Sequence, residues 1–338
     1  MRKPILILMN KCMHNFYQTL LLVLGALLMN SCVEEQKLKA LTFAHNLPIS
    51  HPVHKGVEAF KAQLENLSEG KLTLKIYANG QLGSEREVLE LLQIGSVSMT
   101  KVSAAAMSNF VPEYRVLGVP YLFRNRAHLF NVLEGDVGQQ LLEKGTASWL
   151  RGLCFYDAGS RSFYTKSKLI KTPKDLENLK IRVMSDKMSV AMVERLGGAP
   201  APMSFGELYT ALQQGVVDGA ENNAPSFVTS RHFEICKYFS LDAHSYVPDV
   251  VLIGTKALDR LTEKEQQWVV DAARNSAQKQ KVYWKIAEDE SMEILRQAGV
   301  EFFKPDKTLF EEKTAAIKAT FTNDPQMNIL VEAIENTN

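Results

Sequence analysis

The stretch of residues 262–297 contains neither proline nor glycine, and its apolar residues recur at the three- and four-residue spacing of an α-helix. The residues that mark this apolar stripe are Trp268, Val269, Ala272, Ala273 and Ala277. A helix of this length exceeds the roughly 10 to 14 residues that are usual in globular proteins. The sequence therefore predicts one long helix that acts as a spine across two lobes.

The chain before this helix alternates between strand and helix patterns. A first set comprises strands at 39–45, 71–77, 97–102 and 152–156, a helix that buries Val53, Val57, Phe60 and Leu64, and a helix that starts at Ser84. A second set comprises a helix start at Thr172-Pro173, strands at 179–183 and 216–217, and helices at 187–196 and 204–214 separated by residues 197–202. Both sets predict an α/β lobe, in which helices cover a sheet.

Length and composition agree with two lobes and give no sign of a highly charged partner. The chain has 338 residues, of which 46% are hydrophobic and 23% charged, so it can bury a sizeable core. Lysine and arginine total 39 against 38 aspartate and glutamate residues, a formal net charge of +1. Overall charge would not draw the chain to nucleic acid or to an acidic membrane, so any recognition of charge has to be local.

Residues 1–32 have the layout of a secretory signal peptide. A basic start precedes an apolar run at 20–29, which is shorter than the roughly 20 apolar residues of a membrane-spanning helix. The run ends at Cys32, and residues 28–32 resemble a bacterial lipobox, although Met29 and Asn30 depart from its pattern. We therefore expect a lipoprotein-type signal peptide and lipidation of Cys32, which would give stable membrane attachment. The alternative is an ordinary cleavage that leaves a free thiol.

The mature chain would then contain Cys154 and Cys236, without a CxxC pair or a metal-type cluster around either residue. A disulfide between them is permitted outside the cytoplasm but cannot be inferred from the sequence. Two buried apolar thiols are the simpler interpretation.

The usual catalytic signals are missing from the sequence. It contains no GxSxG elbow, GxGxxG loop, phosphate loop or HExxH motif, so nothing supports an enzyme or a cofactor. His45, His51 and His54 are the one cluster with a metal-like composition. They lack a carboxylate or thiolate at ligand spacing, which favours hydrogen-bonding or solvent-facing histidines over zinc ligands.

Four short stretches follow one another along the chain in a characteristic order and spacing. They are Phe43-Ala-His-Asn46 with His51-Pro52; Gly80-Gln-Leu-Gly83-Ser-Glu-Arg-Glu87 with Gly95; Tyr156-Asp-Ala-Gly159-Ser-Arg161; and Leu179-Lys-Ile-Arg182-Val with Pro202-Met-Ser-Phe205-Gly-Glu-Leu-Tyr209 and Val217-Asp218-Gly219-Ala-Glu221-Asn222. Together they resemble the substrate-binding proteins of tripartite ATP-independent periplasmic (TRAP) transporters, the DctP family, over residues 39–329. Each stretch alone is a weak signal, and the combination is a strong one.

The resemblance implies the two-lobe α/β fold of periplasmic binding proteins, with a ligand cleft between the lobes and a long helix spanning both. Crossing strands would join the lobes, and the chain after Pro248 would return to the first lobe. The implied boundaries are 39–158 and 249–287 for lobe I, and 159–248 and 288–338 for lobe II.

Arg182 is the strongest candidate for ligand binding. It lies inside an apolar strand pattern, where a guanidinium is costly unless an anion pairs with it. A guanidinium can donate two parallel hydrogen bonds to a carboxylate, which lysine cannot imitate. The family resemblance implies that this arginine clamps the carboxylate of the ligand. The alternative is an internal salt bridge.

Two further residues match family positions on the second lobe. Arg161 follows the Gly159-Ser160 turn, which solvent could reach, and would approach the same end of the ligand as Arg182. Its alternative role is a structural contact at the hinge. Asn222 lies just beyond the predicted strand and would contact the ligand through its amide, which both donates and accepts. Its alternative role is that of a turn residue.

The resemblance also implies cleft-facing residues that carry a weaker signal. Those of the first lobe are His45, Asn46, Glu85, Lys101 and Ser103, and Phe205 of the second lobe would form an apolar wall. Glu85 could instead support a helix N-terminus, and Lys101 could be a solvated strand residue. Phe205 could equally belong to an ordinary core.

Residues 99–103, 110–113 and 119–124 look most like family members that take sugar acids such as D-glucuronate or D-galacturonate. Polar groups from both lobes would suit one carboxylate and several hydroxyls, whereas a C4-dicarboxylate would call for cations at both ends. Lys101 could supply a second cation, so a C4-dicarboxylate remains an alternative ligand.

The resemblance implies a monomeric periplasmic protein, tethered as a lipoprotein, that hands an organic acid to the small and large TRAP membrane subunits. It implies no nucleic-acid partner, no metal and no catalysis. A lipid-anchored sensory module and an exported enzyme acting on sugar acids are the other classes considered. The enzyme would require a poised base or a metal that the sequence does not supply.

Overall fold

A computed structural model of the protein describes residue 13 and residues 38–338. Cys32 and nearly all of the predicted signal peptide lie outside these residues. No helix among the residues that the structure describes is long and apolar enough to cross a membrane.

Strands and helices alternate along the chain as predicted. The strands are β1 (Lys39–Ala44), β2 (Leu72–Tyr77), β3 (Met99–Ser103), β4 (Leu150–Tyr156), β5 (Arg161–Thr165), β6 (Lys180–Val183), β7 (Ala199–Pro202), β8 (Gly219–Asn222), β9 (Tyr238–Ser245), β10 (Asp249–Gly254) and β11 (Glu301–Phe303). The helices are α1 (Pro52–Leu67), α2 (Glu85–Ile94), α3 (Ala104–Met107), α4 (Arg126–Glu134), α5 (Asp136–Lys144), α6 (Lys187–Arg195), α7 (Leu208–Gln213), α8 (Ala224–Thr229), α9 (Thr255–Leu258), α10 (Glu263–Gln297), α11 (Thr308–Ala319) and α12 (Pro325–Asn336).

The first sheet has the strand order β2-β1-β3-β10-β4. β1 and β3 pair in parallel, whereas β10 is antiparallel to both β3 and β4. β10 is buried along its whole length, as expected of a central apolar strand. Because β10 follows β9 of the other sheet in sequence, the chain crosses between the two sheets just before Asp249.

The second sheet has the order β11-β9-β5-β8-β6-β7. Its centre is formed by β5 and β8, which are antiparallel, and β8 pairs with β6 in parallel. A Cβ atom at Gly219 would lie 2.4 Å from the carbonyl oxygen of Tyr164, so the close approach of β8 to β5 requires glycine there. The structure thus confirms a mixed α/β fold with two separate sheets.

The predicted long helix is confirmed as α10. Thr262 caps its N-terminus in a reciprocal capping box with Glu265. Its first half packs against α1 in the core over the first sheet, a cluster that contains Val269 and Ala273 of α10 and Val53 and Val57 of α1. Near its end, Leu295 packs in the core of the second sheet. The helix therefore spans both halves of the fold.

The C-terminal helix α12 packs beside α4. The carbonyl oxygen of Ile334 accepts a hydrogen bond from His128 at 2.9 Å, and that of Glu335 accepts one from Arg124 at 3.1 Å. The chain end is thus attached to the segment that connects β3 and β4 of the first sheet, while the predicted lobe boundaries remain predictions.

Two local predictions are wrong in detail, and one segment contains a strand that was not predicted. Residues 199–202, predicted only to separate two helices, form β7, which tolerates Pro200 and Pro202 because it is the edge strand. The predicted helix at 204–214 begins as a 3-10 turn, Phe205–Glu207, before α7. The strand expected at 216–217 is β8, which starts at Gly219 because its pairing with Thr165 begins there.

Candidate functional site

A cavity of about 230 Å³ lies between the two halves of the fold. Lys101 and Asp249 from the first sheet line it, and so do Arg161, Arg182 and Asn222 from the second. Its size suits a small solute, and its wall combines apolar surface with a few convergent polar groups, as ligand sites do. Its position confirms the predicted cleft between lobes.

Arg182 lies in β6 and its side chain is buried. Its Nε and Nη2 atoms donate to the carbonyl oxygen of Met203 at 3.1 and 2.9 Å, whereas Nη1 is buried without a hydrogen-bond partner. No carboxylate of the described residues forms an ion pair with it, so the internal salt bridge considered above is wrong. Burial lowers the pKa of Arg182, and the more distant Glu221 offsets this only in part. The guanidinium is therefore available for an anion.

Arg161 is the first residue of β5 and is 5% exposed. Its Nε and Nη2 atoms donate to Glu221 at 2.5 and 3.0 Å, and Nη1 donates to Oδ1 of Asn222 at 2.9 Å. The prediction that Arg161 sits on a solvent-accessible turn is wrong, because its backbone pairs with Ser245 of β9. Its charge is already neutralised by the bidentate contact with Glu221.

Glu221 also contacts His244, which continues the network away from the cavity. Nε2 of His244 lies 3.3 Å from Glu221 and Nδ1 lies 2.8 Å from Asp242. Burial alone would lower the pKa of His244, but Asp242 and Glu221 raise it to about 9. Burial alone would raise the pKa of Glu221, but Arg161 and His244 lower it to about 2. The positive charges of Arg161 and His244 are therefore balanced by the negative charges of Glu221 and Asp242 inside the protein.

Asn222 is the last residue of β8 rather than a residue beyond it. Its Oδ1 accepts from Arg161 at 2.9 Å and from the backbone N–H of Asn223 at 2.9 Å. These bonds fix the orientation of the amide, and no residue that the structure describes accepts from Nδ2. The amide N–H groups of Asn222 remain available to a ligand oxygen.

Lys101 is buried between two carboxylates. Its Nζ lies 3.0 Å from Asp249 and 3.4 Å from Glu85. The alternative of a solvated lysine is therefore wrong. Burial raises the pKa of Asp249, Lys101 opposes this in part, and Glu85 raises it further, to about 6. Near neutral pH the cluster carries no spare positive charge, so Lys101 is not free to clamp a second carboxylate of a ligand.

Glu85 opens α2, and its carboxylate reaches the neighbouring strand. Its Oε1 accepts from the N–H of Ser103 at 3.0 Å, and its Oε2 accepts from the Ser103 hydroxyl at 2.9 Å. The Ser103 hydroxyl in turn caps α3 by accepting from Ala106. Glu85 and Ser103 both lie on the cavity wall, as predicted.

The histidines are placed differently from the prediction. His45 lies behind the wall, where its Nε2 is 3.0 Å from Nδ1 of His54, and it does not line the cavity. His51 lines the cavity instead, and its Nε2 lies 3.1 Å from Oγ of Ser226. The sequence could not show which of the two histidines lines the cavity, because both belong to the same short motif. Asn46 does line the cavity, and its Oδ1 is buried without a partner.

Phe205 forms part of the wall as predicted. Its ring centre lies 5.7 Å from Cζ of Arg182 and 5.6 Å from the ring of His232. The ring is only partly buried, so it can offer an apolar surface to a ligand held by Arg182.

Asp249, Ser226 and Trp284 are wall residues that the sequence did not single out. Asp249 had a usable signal, because it is a charged residue at the start of an apolar run, where burial demands a partner. Ser226 and Trp284 had none, since their positions depend on how α8 and α10 pack.

The remaining candidate groups are accounted for within the described residues. Cys154 and Cys236 are free and buried, which confirms two separate thiols, and burial raises the pKa of both. Among residues 38–338, no group of three or more histidine, cysteine, aspartate or glutamate side chains is arranged to hold a metal ion.

Comparisons with known proteins agree with this geometry. Residues 43–324 match the family model described as DctP, bacterial extracellular solute-binding protein, family 7. A solute-binding protein of Chromohalobacter salexigens is 31% identical over 85% of this chain and 86% of its own length.

Solved structures of TRAP periplasmic solute-binding proteins are also similar to the structure of this chain. One from Bradyrhizobium sp. BTAi1, in complex with α/β-D-galacturonate, is 37% identical with a TM-score of 0.87 over 88% of this chain and 100% of its own. One from Pseudomonas putida F1, with bound D-glucuronate, is 36% identical with a TM-score of 0.85 over 88% of this chain and 97% of its own. The chain therefore belongs to the DctP family, whose members are periplasmic solute-binding proteins of TRAP transporters.

Proposed function

We propose that this protein captures a sugar acid such as D-glucuronate or D-galacturonate and delivers it to the membrane subunits of a TRAP transporter. The observation that carries the proposal is Arg182, a buried guanidinium on the cavity wall with one unpaired nitrogen and no carboxylate partner among the described residues. A bound carboxylate would supply the missing counter-charge and accept from Nη1.

The charge balance of the wall supports one carboxylate rather than two. Arg161 is neutralised by Glu221, and Lys101 faces both Glu85 and Asp249. Arg182 is thus the one uncompensated buried cation among the described wall residues. A C4-dicarboxylate would leave its second carboxylate without a free cation, which costs desolvation energy. A sugar acid offers hydroxyls instead, which suit Asn46, Asn222 and the carboxylate of Glu85.

The hexuronates bound by the Bradyrhizobium and Pseudomonas structures support the same ligand class for this chain. Ser226 and His51 form the one hydroxyl–imidazole pair on the described wall, but Nδ1 of His51 accepts from the N–H of Val53, so Nε2 donates to Ser226 and cannot take its proton. This arrangement supports binding without chemical change to the ligand. A sensory module would bind the same solute. Neighbouring genes for a small four-span and a large multi-span membrane protein would favour transport.

Ligand binding would close the cleft. In this movement lobe I, residues 39–158 and 249–287, would approach lobe II, residues 159–248 and 288–338. We infer that the protein works as a monomer, because the wall described above is complete within one chain.

Tethering through Cys32 is part of the proposal. The lipobox-like end of the apolar run predicts an acylated N-terminal cysteine in the membrane fraction, detectable by mass spectrometry of the mature protein. A Cys32→Ser variant should appear as a soluble periplasmic protein. A wild-type mature protein that is soluble and begins at another residue would contradict the tether.

A ligand panel tests the function. D-glucuronate or D-galacturonate at a thousandfold excess over its Kd should stabilise the protein by about 4 kcal/mol in thermal unfolding. D-glucose and D-galactose are matched controls that lack the carboxylate, and succinate and malate test the dicarboxylate reading. Chromatography of the recovered hexuronate should show it unchanged. Stabilisation by dicarboxylates alone, or turnover of the hexuronate, would contradict the proposal.

A further inference from the structure

Two uncharged hydrogen-bond donors on the cavity wall lack an acceptor among the residues that the structure describes. The first is Nε1 of Trp284, a fully buried side chain of α10 that lines the cavity. Nε1 has no hydrogen-bond partner among the described residues. Because buried N–H groups in native proteins nearly always have a partner, this one indicates an acceptor that the folded chain does not supply.

The second donor is the hydroxyl of Ser226, which is buried on the same wall. Nδ1 of His51 accepts from the backbone N–H of Val53 at 3.2 Å, so Nδ1 carries no hydrogen. Burial, and next Lys101, lower the pKa of His51 well below its usual value, so the ring is neutral. Its hydrogen therefore sits on Nε2 and is donated to Oγ of Ser226 at 3.1 Å. The hydroxyl hydrogen of Ser226 is left without an acceptor among the residues described.

Both donors lie next to His51. The ring centres of His51 and Trp284 are 5.7 Å apart, and His51 contacts Ser226 directly. Gly159, with φ of +59°, packs under the indole, and a Cβ atom there would lie 2.9 Å from Nε1. The same Cβ atom would lie 3.2 Å from Oε1 of Glu288, so glycine leaves the space between the indole N–H and this carboxylate unfilled.

The charges around these donors decide what they can bind. Arg161, two residues after Gly159, is neutralised by Glu221, and Lys101 is neutralised by Asp249 and Glu85. Arg182 lies on β6, which β8 separates from β5, the strand of Arg161. A carboxylate gains most from a charged donor, whereas neutral N–H and O–H groups suit an uncharged oxygen.

We propose that Nε1 of Trp284 and Oγ of Ser226 together hold an uncharged oxygen of the bound sugar acid, a hydroxyl, ring or carbonyl oxygen. This contact sets which part of the sugar faces α10 while the carboxylate is held at Arg182. The inference rests on the proposed function. It assigns Trp284 and Ser226 as residues that determine specificity for the sugar acid.

The direct test replaces Trp284 alone by β-(3-benzothienyl)alanine, which keeps the bicyclic shape and exchanges the N–H for sulfur. Calorimetry with D-glucuronate and D-galacturonate should show affinity about tenfold lower for the hexuronate that the wild type binds. The thermal midpoint of the ligand-free protein should not fall, because no internal hydrogen bond is lost. Ser226→Ala should weaken binding by a similar factor, and the two changes together by less than the product, since they share one oxygen.

A spectroscopic readout separates ligand contact from a packing role. The indole N–H resonance of Trp284 in ¹⁵N-labelled protein should move downfield when the hexuronate binds. Unchanged affinity in the benzothienyl variant together with an unmoved resonance would overturn the donor pair, even if Arg182→Ala abolishes hexuronate binding. A wild-type protein that binds no hexuronate would overturn the proposed function, and this inference with it.

Discussion

Replacing Arg182 with alanine should weaken binding of a hexuronate by thirtyfold or more. The guanidinium is buried, its Nη1 has no partner, and among the described residues it has no carboxylate to balance its charge. Removing one partner of a buried, hydrogen-bonded charge pair costs about 2 to 5 kcal/mol of binding free energy. Calorimetry with the hexuronate, after circular dichroism confirms folding, measures the loss.

The same substitution should leave the ligand-free protein about as stable as the wild type. Burial of an uncompensated charge costs desolvation energy, which offsets the two hydrogen bonds that Arg182 donates to the carbonyl oxygen of Met203. Arg182→Met, which keeps the length of the side chain, should therefore lose affinity while its midpoint of thermal unfolding stays level or rises. A structural arginine would give the opposite result, with normal affinity and lower stability.

Two controls define the geometry of the clamp. Arg182→Lys keeps the positive charge but cannot contact Met203 with two nitrogens and still offer a third to the ligand, so its affinity should stay low. Arg195→Ala removes the same charge from an exposed position in the last turn of α6 and should bind normally. Normal affinity in Arg182→Lys would reduce the role of Arg182 to a general electrostatic one.

Residue spacing in the sequence predicted the helices well, because helix formation depends mainly on residues that are close in sequence. The spacing of Val53, Val57 and Phe60 predicted α1, and all three side chains are fully buried. The absence of proline and glycine predicted α10 with nearly correct ends. The strand predicted at 216–217 starts three residues before the observed start of β8, because β-branched valines indicate only a propensity. The partner strand decides where pairing begins, and that strand lies far away in sequence.

The site was predicted less completely for the same reason. Arg182 could be found because a charged residue in an apolar strand pattern needs a partner, whatever the fold. The partners of Arg161 and Lys101 could not, since Glu221 and Asp249 are brought to them only by β8 and β10. His45 and His51 share one short motif, and only the packing of α1 shows that His51 reaches the cavity.

Glu221 should be the residue whose loss destabilises the folded protein most strongly in this region. It is buried between two cations, 2.5 Å from Arg161 and 3.3 Å from His244. Glu221→Ala would leave Arg161 in the interior without a counter-ion and His244 with Asp242 alone, and breaking a buried ion pair typically costs about 3 to 5 kcal/mol. Glu221→Gln keeps the shape and one acceptor, so it should cost less. Denaturant unfolding at pH 7 measures both values.

The pH dependence identifies the charge as the cause. Because the pKa of Glu221 is lowered to about 2 from its ordinary 4.5, its stabilising contribution is complete above about pH 4.5 and is lost as the pH falls toward 2. The difference in unfolding free energy between wild type and Glu221→Gln should therefore narrow from pH 5 to pH 3. A constant difference across that range would show that packing, not charge, is responsible.

A double-mutant cycle completes the argument, because it separates the attraction within the pair from the cost of an abandoned partner. Arg161→Met removes the cation that Glu221 neutralises, so Glu221→Gln should destabilise the Arg161→Met protein less than it destabilises the wild type. Arg161→Met alone should also weaken hexuronate binding, because Oδ1 of Asn222 loses the donor that orients its amide toward the cavity. If the two substitutions add without coupling in the unfolding free energy, Arg161 and Glu221 do not act as an ion pair.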